Sequence, residues 1–436
     1  MKKRSAATTL LTPMLALALA LSGCGGHNDA QGTASGGASG SSGAGPSGSA
    51  AGSAAAASSG AAAEKVKLKV ATWAGADELK EFEQLVAKLN ASATDYELEV
   101  QSIPSDYYQK LQTMIAGKQA PDLMWLSQEY IPQYASLGAI AELDDLVSGV
   151  DGFKADDYFP GALDVGKFGG KLYALPWIAQ PYVLYYNQDL FEQANVPLPA
   201  NDWTWDEFIE TGKKLTGDGQ WGALLNNIPT AMYTWSYGGD VFDKDGNIKL
   251  DSSESIQGLE MYQKIVKSGI APARAQADAM GNGDMFKTGK VAMFIGGAGD
   301  DFEKTVKFKV GMAVPPKGTH AVTFDWIAGT VLSKSTPHPN VAAKALVDLT
   351  NAIHRWKVVA PTKTGFDLIQ TSRPEKMYAV ETIRQASEIA RGFNNQPKQS
   401  EIDQAIWEKL TQPIEKGDDV NKAVQDTIAK FREIVK

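Results

Sequence analysis

Four histidines, His27, His320, His338 and His354, and a single cysteine, Cys24, are the first residues to weigh for chemistry. No histidine pair has the HExxH spacing that seats zinc on one helix face, and one thiol cannot build a Cys-rich metal set. No G-x-S-x-G turn exposes a nucleophilic serine; a dispersed Ser/His/Asp triad leaves no such trace and stays open. Gly161-Ala162-Leu163-Asp164-Val165-Gly166-Lys167-Phe168 has the glycine and lysine spacing of a phosphate loop. Phe168, however, stands where a metal-binding hydroxyl is required, and Gly169-Gly170 would break the helix. Asp243-Lys244-Asp245-Gly246-Asn247 lacks the position-six glycine and the in-register distal glutamate of a calcium loop and reads as a hairpin turn. Among 51 acidic residues, spacing does not single out the paired carboxylates of a glycoside hydrolase. The expectation is no catalytic residue, no metal and no cofactor.

What remains is aromatic: 10 Trp, 14 Tyr and 15 Phe. Trp73, Trp125, Trp177, Tyr182, Trp235, Tyr237 and Trp326 fall at predicted strand ends or loops, beside Gly, Asn, Asp or Gln. A sugar ring has an apolar face of C–H bonds and an edge of hydroxyls. Aromatic faces suit the first; amides and carboxylates suit the second. Any one of these aromatics serves a core equally well, but the set points to a carbohydrate cleft. Glu129 and Asp300 are the carboxylates that sit next to strand-end motifs.

Alternating strands and helices must position these residues. Val66-Lys67-Leu68-Lys69-Val70 alternates with period two, Asp77–Val86 has helical spacing, and Tyr96–Val100 and Pro121–Leu126 are further strands. Such alternation predicts a parallel sheet with helices on both faces, and ligands beyond the carboxyl ends of its strands. Trp203-Thr204-Trp205-Asp206-Glu207-Phe208 starts a helix with a capping box, Thr204 and Glu207 being three apart. Val291–Ile295 is a buried strand leading into Gly296-Gly297.

The N-terminus is of another kind. Lys2, Lys3 and Arg4 precede the apolar run Leu10–Ala20, which is too short to span a bilayer. Leu21-Ser22-Gly23-Cys24 then resembles the bacterial lipobox, where a peptidase cuts before the cysteine and a diacylglycerol, with palmitate as the expected acyl chain, is attached to its sulfur. That reading accounts for the position of the one cysteine, and for the lack of a second thiol in an oxidising compartment. Residues 25–63 are almost entirely Gly, Ala and Ser and cannot bury a core. As a flexible coil of about 40 residues they would span roughly 35 Å. The net charge is −9 with no basic, aromatic-interleaved stripe, which argues against nucleic acid as a partner.

Several ordered segments together resemble the extracellular solute-binding proteins of sugar ABC transporters, the group that includes maltose-binding protein. They are Ala71-Thr72-Trp73; Ala120–Trp125 followed by Leu137–Leu143; Gly170–Pro176 followed by Leu184–Phe191; Trp203–Phe208; Trp235-Ser236-Tyr237-Gly238-Gly239-Asp240; and Phe286–Met293. The resemblance covers about 65–436. It implies an α/β, two-lobed periplasmic-binding-protein-like fold, with hinge crossings near Pro176–Gln180, Lys287–Val291 and Asn351–Val358 and a ligand cleft between the lobes. On that scheme 1–23 is a lipoprotein signal peptide and 24–63 a tether. The first lobe is 64–178 and 291–355, and the second is 179–290 and 356–436.

The residues it places in the cleft are Trp73, Trp125, Ser127, Glu129, Gln180, Tyr182, Trp235, Tyr237, Gly297, Asp300 and Trp326, with Trp235 as the ring-stacking residue. The family often has a tryptophan just after the glycine-rich turn; Gly297-Ala298-Gly299-Asp300 has none, and Asp300 becomes a candidate for a hydroxyl or a cationic group. The implied protein is a monomeric, non-enzymatic lipoprotein on the extracytoplasmic face of the cell membrane. It would capture a carbohydrate, an oligosaccharide by expectation, for membrane permease subunits. A receptor for a polyamine, peptide or phosphorylated polyol is the alternative, and a secreted polysaccharide hydrolase a third reading.

Overall fold

The computed structural model describes residues 64–356 and 359–436. The expected signal peptide, Cys24 and tether lie outside them. Eleven strands are present among the described residues: β1 (Val66–Thr72), β2 (Tyr96–Ser102), β3 (Leu123–Ser127), β4 (Lys167–Phe168), β5 (Lys171–Leu172), β6 (Ala174–Asn187), β7 (Trp221–Leu224), β8 (Val291–Gly297), β9 (Val310–Ala313), β10 (Thr323–Leu332) and β11 (Ala390–Arg391). β4 and β5 form a separate hairpin. The rest make one sheet in the order β2-β1-β3-β10-β6-β8-β7, with β9 on β6 and β11 on β10.

The period-two pattern of β1 buries Leu68 and Val70 beneath the helix Ala76–Ser92, which contributes Phe82 and Val86. The helix Pro339–His354 adds Leu346, Leu349 and Ile353 to the same core. A second large core collects Leu184, Trp205, Phe208, Met232, Leu259, Ile428 and Phe431. Trp205 is aimed into it by the predicted capping box: Glu207 N–H donates to Thr204 Oγ1 at 3.2 Å and Thr204 N–H to Glu207 Oε2 at 2.8 Å. Two further buried clusters accompany them, one around Tyr185, Phe286 and Phe294 and one around Tyr107, Leu126 and Tyr134.

The sheet is mixed, where the alternation of elements predicts a parallel one. β1 is parallel to β2 and β3, and β7 to β8. β10 is antiparallel to β3 and β6, and β6 to β8 and β9. The reason is connectivity: a strand returning from the second lobe must run against the strand that left the first. β6 leaves. It pairs with β10 from Ala174 to Pro181, then with β8 and β9 from Tyr182 to Asn187. β10 returns, with its register shifting between Ala328 and Gly329 as it joins β3.

This corrects two expectations. Lys287–Val291 is no crossing but a tight turn, with Gly289 at φ +76°, that delivers β8 beside β7. Ala292, Met293 and Ile295 then pack with Leu184 and Met232, and Val291, Phe294 and Phe302 with Tyr185 and Phe286, so this stretch packs against the far half of β6 and not into the first core. The crossing expected near Asn351–Val358 lies partly outside the described residues; just beyond it Ala179 N–H donates to Val359 O at 3.1 Å beside β6.

Candidate binding site

Where β6 passes between the lobes it reads Gln180-Pro181-Tyr182. Pro181 has no N–H to give, but its carbonyl accepts from Ala298 N–H at 2.9 Å, folding the loop after β8 back onto β6. Gln180 then lies across Gly297 and Gly299. A Cβ at these two positions would come within 2.5 and 3.0 Å of Gln180 Oε1, so any larger residue there would push the Gln180 amide aside. Trp326 on β10 pairs directly with Gln180. Gln180, Tyr182, Gly297, Asp300 and Trp326 thus surround one cavity of about 420 Å³, joined by Asn227, Asn282 and Lys287. That volume lies within the usual range for small-molecule sites, about 300–1,000 Å³.

The cavity is rich in acceptors. Burial pushes the pKa of Asp300 up to about 6; the Lys376 ammonium opposes the rise, and Asp301 and Glu303 add to it. Burial also raises Tyr182 to about 12, with the Asp300 charge adding to the effect. Asn282 Oδ1 is buried with no hydrogen-bond partner among the described residues. Phe294, Phe302 and Trp326 supply apolar faces. Hydroxyl donors and a ring face would satisfy both kinds of surface.

A second cavity of about 210 Å³ lies in the same lobe, lined by Asp240, Phe393, Asn394, Asp403 and Trp407 among others. A run of ring contacts links the two: Tyr182 to Phe324 at 5.0 Å, Phe324 to Phe393 at 4.7 Å, and Phe393 to Trp235 at 5.5 Å. The first lobe meets this region through the segment after β3. Gln128 Nε2 donates to Asp325 O at 3.2 Å. Burial pushes Asp403 up to about 6, its bond from Gln399 pulls it down, and the Glu129 carboxylate across the lobes raises it again.

Other expected residues go elsewhere. Trp125 is fully buried in the first core, 5.3 Å from Trp73 and 4.3 Å from Trp177. Trp73 is half-buried against it and Tyr107. Ser127 is buried with its hydroxyl 2.8 Å from that of Tyr108. Glu129 is half-buried and lines neither cavity.

Trp235 is not an open platform. It is 3% exposed. The Arg391 guanidinium lies 4.5 Å from its ring centre, and its Nε1 donates to Asp240 Oδ1 at 2.8 Å. Tyr237 packs against Gly318, where a Cβ would lie 2.8 Å from its ring, and lines neither cavity. Asn227, Asn282, Phe393, Asn394, Asp403 and Trp407 line the cavities without having been expected there. Asn227 alone carried a sequence signal, since it lies beyond β7 at its carboxyl end. Among the described residues no group of His, Cys, Asp and Glu could hold a metal ion, and no helix is long and apolar enough to cross a membrane.

The profile of the family described as bacterial extracellular solute-binding protein matches residues 72–349. A Brucella abortus (strain 2308) protein described only as a binding protein is 28% identical over 283 residues, 60% of this chain and 67% of that one. An uncharacterised lipoprotein of Streptomyces antibioticus is 27% identical over 216 residues, 48% of this chain and 47% of that one. The arabinooligosaccharide-binding protein of Halalkalibacterium halodurans is 25% identical over 196 residues, 42% of each chain. Among solved structures, a Listeria monocytogenes ABC substrate-binding protein in complex with cycloalternan superposes with TM-score 0.71 at 24% identity, over 85% of this chain and 99% of that one. The sugar-binding protein MalE of Xanthomonas citri gives TM-score 0.72 at 20% identity, over 85% and 99%. These structures share the two-lobed fold.

Proposed function

Because the chain belongs to the bacterial extracellular solute-binding protein family, we propose that it is the carbohydrate receptor of an ABC importer, capturing an oligosaccharide between its lobes and passing it unaltered to membrane permease subunits. The observation that carries the reading is the cavity of about 420 Å³ at the hinge strands, where Tyr182 and Trp326 stand beside Gln180, Asn227 and Asp300. Ring faces and hydroxyl partners meet there in one space. The names of the arabinooligosaccharide-binding relative and of the cycloalternan complex support the same ligand class.

Ligand capture works by closure. β6 and β10 link the lobes, and bending there brings the Gln128–Tyr130 segment toward the second lobe. A ligand favours the closed form only by the contacts it gains there. The first lobe is 64–177 with 328–353, and the second is the remainder from 179. The chain acts as a monomer.

Cys24 carries the lipid and 25–63 the tether, which puts the receptor on the outer face of the cell membrane. The likeness to a Streptomyces lipoprotein supports this. Cys24→Ala should lose membrane retention and globomycin-sensitive processing; a mutant that still fractionates with membranes defeats the anchor.

A thermal-shift screen against mono- and oligosaccharides tests the main reading. A ligand binding only the folded state stabilises it by about 2.7 kcal/mol at one hundred times its Kd. A shift confined to one sugar class fits the proposal. A shift with amines alone would replace the sugar with a cationic solute, for which the Asp300 carboxylate is the feature to examine.

A further inference from the structure

The wall of the hinge-strand cavity that carries Asp300 is gripped from behind. Backbone carbonyls of its loop bond to groups that do not line the cavity. Tyr185 Oη donates to Gly297 O at 2.9 Å. Arg373 Nη2 donates to Gly299 O at 3.0 Å and to Asp301 Oδ1 at 2.5 Å. Lys376 Nζ donates to Asp300 O itself, to Glu303 Oε2 at 2.8 Å and to the Tyr185 hydroxyl at 3.4 Å. Glu375 completes the set, 2.5 Å from Arg373 and 3.1 Å from Lys304.

Charge matching gives this grip its direction. Arg373, Lys376 and Lys304 meet Asp301, Glu303 and Glu375, cation for carboxylate. Asp300 is the carboxylate left over, and it faces the cavity. Lys376 is 0% exposed and Arg373 7%. Burying such charges carries a heavy desolvation penalty, and well-packed apolar side chains would often hold a loop as firmly, so stability alone is a weak reason to keep them. What apolar groups cannot do is donate to three carbonyls of one loop and so fix the direction in which the intervening side chain points.

We propose that Lys376 and Arg373, with Tyr185, are positioning residues for ligand binding: they hold the Gly297–Glu303 loop so that the Asp300 carboxylate is presented to the sugar's hydroxyls. This deepens the carbohydrate reading and rests on it. It differs from a merely structural role in one respect, since the effect on affinity must pass through Asp300.

The test is a double-mutant cycle on the purified full chain, by titration calorimetry with maltotetraose, diacetylchitobiose and an arabino-oligosaccharide. With whichever of these binds the unmodified chain most tightly, Lys376→Met should weaken binding about tenfold and Tyr185→Phe about threefold. In an Asp300→Asn background each change should cost less than about twofold. Equal losses with and without Asp300, or unmodified affinity in Lys376→Met, overturn the proposal. Should Lys376→Met fail to fold, Tyr185→Phe removes only a hydroxyl and completes the cycle in its place, with the same outcomes deciding. If none of the three sugars binds the unmodified chain, the carbohydrate reading falls and this inference with it; binding by the unmodified chain with indifferent variants removes this inference alone.

Discussion

In the first lobe Trp73 follows β1 while Trp125 and Trp177 lie within β3 and β6, and in the second Tyr182, Phe294 and Trp326 lie within β6, β8 and β10. The first group closes on itself. The Trp125 ring centre lies 4.8 Å from that of Phe82, 5.3 Å from Trp73 and 4.3 Å from Trp177. The second group borders a cavity of about 420 Å³. Residue type is common to both; the segment next to the strand differs. After β1 comes the helix Ala76–Ser92, whose Phe82 fills the space above Trp125. β8 ends in Gly297 and is followed by Ala298-Gly299-Asp300, with no large side chain to fill the space. An aromatic on these strands becomes core or site according to the bulk of the segment that follows the strand beside it.

Four substitutions test this contrast, and the largest effect is expected in the core. Trp125→Ala should cost about 3–5 kcal/mol of stability in urea titrations, as large aromatic truncations in cores do. A near-normal unfolding midpoint would mean that the first-lobe cluster is not a packed core.

Asp300→Asn should stabilise the chain near pH 7 while weakening sugar binding. The folded pKa of about 6 lies above the ordinary carboxylate value. The wild-type group therefore favours the folded state most below that ordinary value, and the advantage is lost as pH rises through 6. The stability gap between variant and wild type should accordingly open from near zero at about pH 4 to about 1–3 kcal/mol at about pH 7.5. A gap that stays flat with pH would show that this carboxyl is better solvated than its setting implies.

Trp326→Ala should lower sugar affinity by about 1–2 kcal/mol, the scale of a lost ring contact. Undiminished affinity would take the hinge tryptophan out of the site and leave the contrast resting on Tyr182 alone. Tyr237→Phe should be the mildest, within about 0.5 kcal/mol in stability with affinity unchanged. A clear affinity loss would extend the site to a residue that lines neither cavity among the described residues.

How far the sequence could be read depends on the range of the forces involved. The β1 alternation and the Thr204–Glu207 capping box are local patterns, and the chain adopts both. Gln180, Tyr182, Gly297, Asp300 and Trp326 are legible because each sits beside a turn or polar partner in its own segment. Strand pairing is not. Nothing within Val291–Gly297 states that it pairs with the far half of β6, so a crossing is expected one strand too early. Trp235 misleads for a related reason: the Arg391 that covers it lies far down the chain and carries no motif. Phe393 and Asp403 escape a sequence reading because they reach the second cavity only through tertiary packing of the C-terminal segment.

Trp326 has one further consequence. Its ring packs against the core of each lobe and belongs fully to neither. Any bending of β10 must alter what that indole touches. The molecule therefore carries its own optical gauge of lobe separation: the difference in emission between the native chain and Trp326→Phe should track closure in real time, without an attached dye.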